Sequence, residues 1–149
     1  MTVTDSHELT LVQNLYTAWT ERDMEAFFAH VDDDIVYVLH LDPALIPMGG
    51  EHRGRAAFRA VFDQFNATFS YLRFNRSLFR QSGDVVSLRV HYSCLHKASG
   101  QILSGSYTAN ITVRDRQIVR IEEFPDQGFV EAFFRLIAAS STRPGEEMR

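Results

Sequence analysis

The sequence has few of the features that mark several large classes of proteins. Cys94 is the single cysteine among 149 residues, which excludes an intrachain disulfide and a zinc site built from cysteines. Its position in an alternating stretch predicts a buried, unreactive thiol. No run of about 18 apolar residues and no signal-peptide pattern occur, so we expect a cytoplasmic protein without a membrane partner. The formal net charge of −4 argues against a nucleic-acid partner.

Sequence motifs for cofactors are also missing. There is no Walker loop, no Rossmann glycine fingerprint and no GxSxG elbow, which argues against nucleotide cofactors and serine hydrolase chemistry. A metal site could be drawn from His40, Asp42 and His52, but neither an HExxH pattern nor two histidines at helical spacing supports it. We therefore expect neither a cofactor nor a metal ion.

The length and composition are those of one domain spanning residues 1–149. Hydrophobic residues make up 45% of the chain and twelve residues are phenylalanine. A chain of this length buries roughly 68–70% of its unfolded surface in one core. Residues 140–149 are polar, and we expect them to form a flexible tail.

The first helix is predicted from the spacing of apolar residues after the N-terminus. Asp5 and Glu8 stand at the spacing of a capping box, which predicts that the helix begins there. Tyr16 and Trp19 then lie on its apolar face. Aromatic residues on such a face belong to the core more often than to a catalytic site, but the Tyr16 hydroxyl needs a partner when buried, which keeps Tyr16 as a candidate electrophile.

Two further helices and a strand complete the first half of the chain. Residues 24–31 form a short helix that ends at an acidic run, and residues 35–41 have the β-branched and aromatic content of a strand. Residues 43–55 contain two prolines and three glycines and are predicted to form a loop or lid. The third helix follows, with an aromatic face that includes Phe58 and Phe62.

The second half changes from helical spacing to alternation. Four strands are predicted at about 71–81, 84–96, 101–114 and 117–124, joined by hairpin turns, and a short helix closes the chain. This order indicates an α+β fold, in which a curved antiparallel sheet packs on three helices from the first half of the chain. A sheet so curved leaves a conical cavity, and small ligands bind in cavities of this kind.

Four stretches carry a resemblance to a known family. They are "LVQNLYTAW", "FFAHVDDDIVY", "GGEHRGRAAFRAVFDQF" and "IVRIEEFPDQGFVEAFF", and together they span about residues 7 to 137. The chain resembles the nuclear transport factor 2-like superfamily, in its SnoaL-like polyketide cyclase and ketosteroid isomerase branch. The resemblance implies a conical barrel that is usually a homodimer, with a small-ligand pocket and cofactor-free proton transfer in the members that are enzymes.

The chain departs from the ketosteroid isomerases at two positions. Leu15 stands where the resemblance implies a tyrosine, and Ala109 stands where it implies an acid. Steroid isomerisation is therefore disfavoured. Cyclases of the branch often carry an acid where the last strand meets the final helix, and Asp126 lies there. Asp126 is also a good helix cap, so both roles remain open.

Glu123 interrupts the apolar side of the last strand. Alternation places it on one face with Val119 and Ile121, and places Ile118 on the other face with Arg120 and Glu122. Burial would raise the pKa of the Glu123 carboxyl, which suits a general acid or base. The alternative is a carboxylate at the rim, paired with Arg120 or Arg76, while Glu122 is expected to be solvated.

The first strand allows two registers. In one, His40 and Asp42 face inward and the carboxylate orients the imidazole as a base. In the other, Tyr37 faces inward with its neighbours at 35 and 39, His40 lies outside and Asp42 is a turn residue.

Two functions follow from these residues. The first is an enzyme of the cyclase, isomerase or dehydratase kind acting on an apolar carbonyl compound, with Asp126 or Glu123 as the acid or base and His40, Asp42 or Tyr16 polarising the carbonyl. The second is a non-catalytic ligand-binding or dimerisation module of the same fold. The residues expected to bind ligand are Trp19, Tyr37, Phe58, Phe62, Tyr92, Tyr107 and Ile121.

Overall fold

A computed structural model describes residues 6–141 of the chain. The described part contains four helices and six strands. The four helices and five of the strands follow the predicted order, and the sixth strand, β2, is additional. The elements are α1 His7–Glu21, α2 Met24–Phe28, β1 Val31–Leu39, β2 Gly50–Arg53, α3 Arg55–Thr68, β3 Phe69–Ser82, β4 Val85–His96, β5 Ile102–Arg114, β6 Gln117–Pro125 and α4 Gln127–Ser141.

Helix α1 is capped one residue later than the capping-box pattern predicts. The Ser6 hydroxyl accepts a hydrogen bond from the Leu9 backbone N–H at 3.0 Å, so Ser6 is the N-cap, and Asp5 lies outside the described residues. The helix ends at Arg22, which adopts a left-handed conformation with φ of 58°. Its buried face includes Tyr16 and Trp19, as predicted.

The sheet is mixed rather than antiparallel throughout. Its strand order is β2-β1-β6-β5-β4-β3, and β1 pairs parallel with β6 while every other pair is antiparallel. The acidic run 32–34 lies within β1, because the buried Val31 and Ile35 on either side anchor that part of the strand. The predicted loop 43–55 contains β2, which was not predicted.

The four strands of the second half lie within two residues of their predicted bounds. One irregularity changes which residues point inward. A bulge between Thr112 and Val113 lets β5 pair with Ile118 and then with Arg120, skipping Val119. Ile118 is therefore buried together with Ile121, although simple alternation places the two on opposite faces.

The helices close the concave side of the sheet. Residues of α1, α2 and α3 form one apolar cluster with the inner sheet face, and Val130 of α4 joins them. The last helix has 15 residues, as many as α1. It extends over residues 140 and 141 of the predicted tail, and the rest of that tail lies outside the described residues.

No helix within residues 6–141 combines the length and the apolar character needed to cross a membrane. Two expectations from the sequence concern the homodimer and the cytoplasmic location. Both statements stay predictions.

Candidate functional site

A cavity lies between the curved sheet and the helices. Its lining residues come from α1, α2, α3, α4, the sheet and the loop after β1, and more than half of them are aromatic. The cavity has a volume of about 100 Å³, several times the ~10–15 Å³ that one water molecule needs. All seven residues predicted to bind ligand line this cavity, as does Tyr16.

The polar groups of the cavity are few and of few kinds. All five tyrosines of the chain line it, and the remaining polar groups are the Glu123 carboxyl, the Cys94 thiol and the Trp19 indole N–H. Among residues 6–141, no Lys, Arg or His side chain lines the cavity, and none of the lining residues is Ser, Thr, Asn or Gln. Glu123 is the one carboxylate in this described lining.

Glu123 reaches the cavity from the middle of the sheet. It lies on β6, paired with Ala109 of β5 on one side and with Leu39 of β1 on the other. The Tyr37 hydroxyl donates a hydrogen bond to Glu123 Oε1 at 2.7 Å. Burial raises the pKa of the Glu123 carboxyl to about 7, although the hydrogen bond from Tyr37 favours the charged form and lowers it. The side chain keeps partial access to the cavity.

The tyrosines around Glu123 remain protonated at neutral pH. Burial, and next the nearby Glu123 carboxylate, raise the pKa of the Tyr16, Tyr37 and Tyr107 hydroxyls well above the usual value for tyrosine. Burial also raises the pKa of Tyr71 and Tyr92. Neutral hydroxyls can donate and accept hydrogen bonds, so the ring of tyrosines can bind oxygen atoms of a ligand.

Aromatic packing holds the cavity wall in place. The Trp19 ring lies 4.3 Å from the Phe62 ring in an edge-to-face arrangement, and the Arg22 guanidinium lies over Trp19 at 4.7 Å. Tyr16 stacks on Phe74 with ring centres 6.2 Å apart. The Trp19 indole nitrogen is buried and has no hydrogen-bond partner within the described residues.

The structure does not bring Asp126 into the cavity. Its side chain is exposed, and Asp126 Oδ1 accepts a hydrogen bond from the Phe129 N–H at 3.2 Å while its carbonyl accepts one from Val130. Asp126 therefore caps the first turn of α4, which is the structural alternative left open by the sequence.

Neither arginine predicted as a partner of Glu123 reaches it. Arg120 lies 3.5 Å from Glu122 on the other face of the strand, and Arg76 donates hydrogen bonds to the Tyr16 carbonyl and to Thr20 of α1. Glu122 is half-buried rather than solvated, because it also contacts His40 at 2.6 Å. Within residues 6–141, the cavity carboxyl thus has no cationic partner.

The first strand adopts the register in which Tyr37 faces inward. His40 lies outside the cavity, stacked on Phe124 at 4.4 Å and paired with Glu122. Asp42 is exposed, and its Oδ1 accepts a hydrogen bond from the Ala44 N–H at 2.9 Å, as in an Asx turn. Because neither side chain lines the cavity, His40 and Asp42 cannot act on a ligand bound there.

The residues considered for a metal site are separated. The His52 ring contacts the Met48 and Gly49 carbonyls, each at 3.0 Å, and joins neither His40 nor Asp42. No group of three or more His, Cys, Asp or Glu side chains between residues 6 and 141 is arranged to hold a metal ion.

Sequence reasoning missed two parts of the cavity. Tyr71 lines it from β3, and applying alternation from Phe69 would have found it. Leu41, Ile46 and Met48 line it from the loop after β1, and no periodicity signals their orientation. That loop folds tightly, since a Cβ at position 49 would lie 2.5 Å from the Leu41 carbonyl oxygen and only glycine fits there.

Cys94 is buried in the cavity wall, as predicted. Its sulfur lies 3.6 Å from the Leu103 carbonyl, and burial raises the pKa of the thiol to about 12. A thiol held neutral in this way is a poor nucleophile, so Cys94 contributes packing rather than chemistry.

Comparisons with known proteins agree with this architecture. The sequence profile of the SnoaL-like domain family matches residues 12–121. A candidate isomerase from Rhodopseudomonas palustris superimposes with a TM-score of 0.73 and 19% identity, over 88% of this chain and 98% of its own. TerC, crystallised with polyporic acid, gives 0.76 and 20% over 89% and 99%.

A candidate polyketide cyclase from Xanthomonas campestris pv. campestris gives a TM-score of 0.64 and 22% identity, over 78% of this chain and 88% of its own. At these identities the likeness to solved structures concerns the fold. No curated protein matches the sequence.

Proposed function

Because the chain belongs to the SnoaL-like domain family of the nuclear transport factor 2-like superfamily, we propose that it is an enzyme using cofactor-free acid–base chemistry on an apolar carbonyl compound. The reaction is of the cyclase, isomerase or dehydratase kind. The observation that carries the proposal is that Glu123 is the one carboxyl of the described lining and has no cationic partner there, in a largely aromatic cavity.

Glu123 is the proposed acid and base. With a pKa of about 7, the carboxyl is present in both protonation states near neutral pH, which is the condition for efficient general catalysis. The carboxylate takes a proton from the carbon next to the carbonyl. The C–H electron pair forms the new C=C bond, and the π pair of the carbonyl moves to its oxygen to give an enolate. In a conjugated enolate, returning the proton to a different carbon isomerises the compound. Attack of the enolate carbon on a second carbonyl closes a ring, and the alkoxide formed on that carbonyl takes the proton back from Glu123.

Tyrosine hydroxyls are the proposed partners of the enolate oxygen. Tyr16 and Tyr107 lie in the cavity within electrostatic reach of Glu123. A neutral hydroxyl in an apolar cavity stabilises a developing oxyanion more than it would in water. Tyr16 keeps the electrophilic role predicted from the sequence, and Tyr107 is added to it.

The lining also favours an uncharged substrate. A carboxylate or phosphate in the cavity would lie beside Glu123 and find no Lys, Arg or His in the described lining to neutralise it. A sugar would find few partners for its hydroxyl groups. An aromatic or polycyclic ketone matches the apolar wall.

The proposal is tested by deuterium exchange on a simple ketone. We expect the protein to catalyse exchange of the α-hydrogens of 2-tetralone in D₂O near neutral pD, at least about 10²-fold above buffer. Loss of the proton NMR signal of the α-carbon measures the rate, and ligand-induced shifts of the tyrosine signals measure binding. Binding without exchange across a panel of apolar ketones would overturn the enzyme and favour the non-catalytic ligand-binding module.

A further inference from the structure

The two oxygens of the Glu123 carboxyl have different surroundings. Oε1 accepts the hydrogen bond from Tyr37 at 2.7 Å, whereas Oε2 has no hydrogen-bond partner within residues 6–141. We propose that Tyr37 is a positioning residue, which holds the carboxyl by Oε1 and leaves Oε2 as the atom that exchanges a proton with the substrate. The inference rests on the proposed function of Glu123.

Tyr37 is held more firmly than a surface tyrosine. It is 3% exposed and lies on β1 between two paired strands, opposite His52 of β2 and Ile121 of β6. Its ring packs against Phe58 at 5.1 Å and against His52 at 6.2 Å. A ring enclosed on both sides cannot turn away from Glu123 without opening the wall, so its hydroxyl is a fixed donor.

The position of Tyr37 on the sheet explains its reach. Leu39 is the direct partner of Glu123 across the β1–β6 pair, and Tyr37 is two residues earlier on the same face of β1. Diagonal neighbours of this kind are about 7–8 Å apart at Cα, which a tyrosine side chain spans. The parallel pairing of β1 with β6 therefore brings the two residues together.

The other tyrosines do not take this role. Tyr16, Tyr71, Tyr92 and Tyr107 come from α1, β3, β4 and β5 and feel the charge of Glu123, but within the described chain none of them hydrogen-bonds to it. The cavity residues of α3 and α4 are apolar. Tyr37 is thus the described group that opposes the effect of burial on the pKa of Glu123.

The test compares Y37F with Y107F, which removes another cavity hydroxyl that does not hydrogen-bond to the carboxyl. Titration of the Glu123 side-chain carbon by ¹³C NMR should show a pKa about 1 unit higher in Y37F and unchanged in Y107F. For 2-tetralone exchange by Y37F, the acid limb of the profile of rate against pH should move to higher pH by the same amount. An unchanged Glu123 pKa in Y37F, or an equal rise in both variants, would overturn the positioning role.

A measurement on the wild type covers the case in which Y37F does not fold. The Tyr37 ¹³Cζ shift should titrate with the midpoint of Glu123 and by more than that of Tyr71, and equal responses would contradict the hydrogen bond. Because the titrations need no substrate, they separate the two proposals. If the pKa of Glu123 changes in Y37F but the protein has no exchange activity, the contact between Tyr37 and Glu123 is supported and the proposed enzymatic function is contradicted. If the exchange activity depends on Glu123 but the pKa of Glu123 is the same in Y37F, the enzymatic function is supported and the role of Tyr37 is contradicted.

Discussion

Replacing Glu123 with glutamine should lower the rate of 2-tetralone exchange by about 10²–10⁴-fold, the usual contribution of a positioned acid or base. Glutamine has nearly the shape of the protonated acid but cannot take up a proton. It still contacts Tyr37, so binding of the ketone should change little. The exchange rate and the dissociation constant, measured on the same samples by NMR, distinguish loss of chemistry from loss of binding.

The control for this variant is Asp126→Asn. Asp126 is three residues along the chain from Glu123, but it is exposed and caps α4. Asparagine caps helices about as well as aspartate, so the variant should fold and exchange the ketone at the wild-type rate. Equal losses in both variants would contradict the assignment of Glu123, and a loss confined to Asp126→Asn would assign the chemistry to Asp126 instead.

The second large effect of Glu123→Gln is on stability, and it depends on pH. The pKa of Glu123 rises from 4.5 to about 7 on folding because of burial. Between these values the folded protein holds a proton that the unfolded chain releases, so the carboxyl lowers stability as pH rises through this window. Above it the cost is complete, and we expect about 1–3 kcal/mol, since the side chain keeps some access to water.

Glu123→Gln removes that cost. The variant should resemble the wild type in stability at about pH 5 and exceed it by about 1–3 kcal/mol at about pH 8. Urea denaturation at the two pH values gives the free energies of unfolding, and their double difference cancels contributions from other groups. The exposed Asp126→Asn should show no such gain. A glutamine variant less stable than the wild type at about pH 8 would mean that the carboxylate is stabilised in the folded protein.

Much of the fold could be predicted from the local periodicity of the sequence. Alternation from residue 71 onward sets the last four strands, and the aromatic spacing after Gly54 sets α3. Alternation also places Glu123 on the same face as Ile121, and both line the cavity. These features depend on local periodicity, which a single sequence carries.

The remaining features depend on contacts between distant segments. The parallel pairing of β1 with β6 decides that Tyr37 rather than His40 faces inward, and either register satisfies the local pattern. The bulge at Val119 buries Ile118, which alternation cannot anticipate. The choice between cap and catalytic acid at Asp126 depends on the direction in which α4 leaves the sheet, which local sequence does not specify.

The central claim is that Glu123 is a carboxyl of raised pKa in an apolar cavity. The most direct test is a ¹³C NMR titration of its side-chain carbon in the wild-type protein, assigned by comparison with Glu123→Gln. A midpoint of about 7 is expected. A midpoint near 4.5, the ordinary value for glutamate, would show a carboxylate ionised throughout the neutral range and would contradict both the proposed acid–base role and its physical cause.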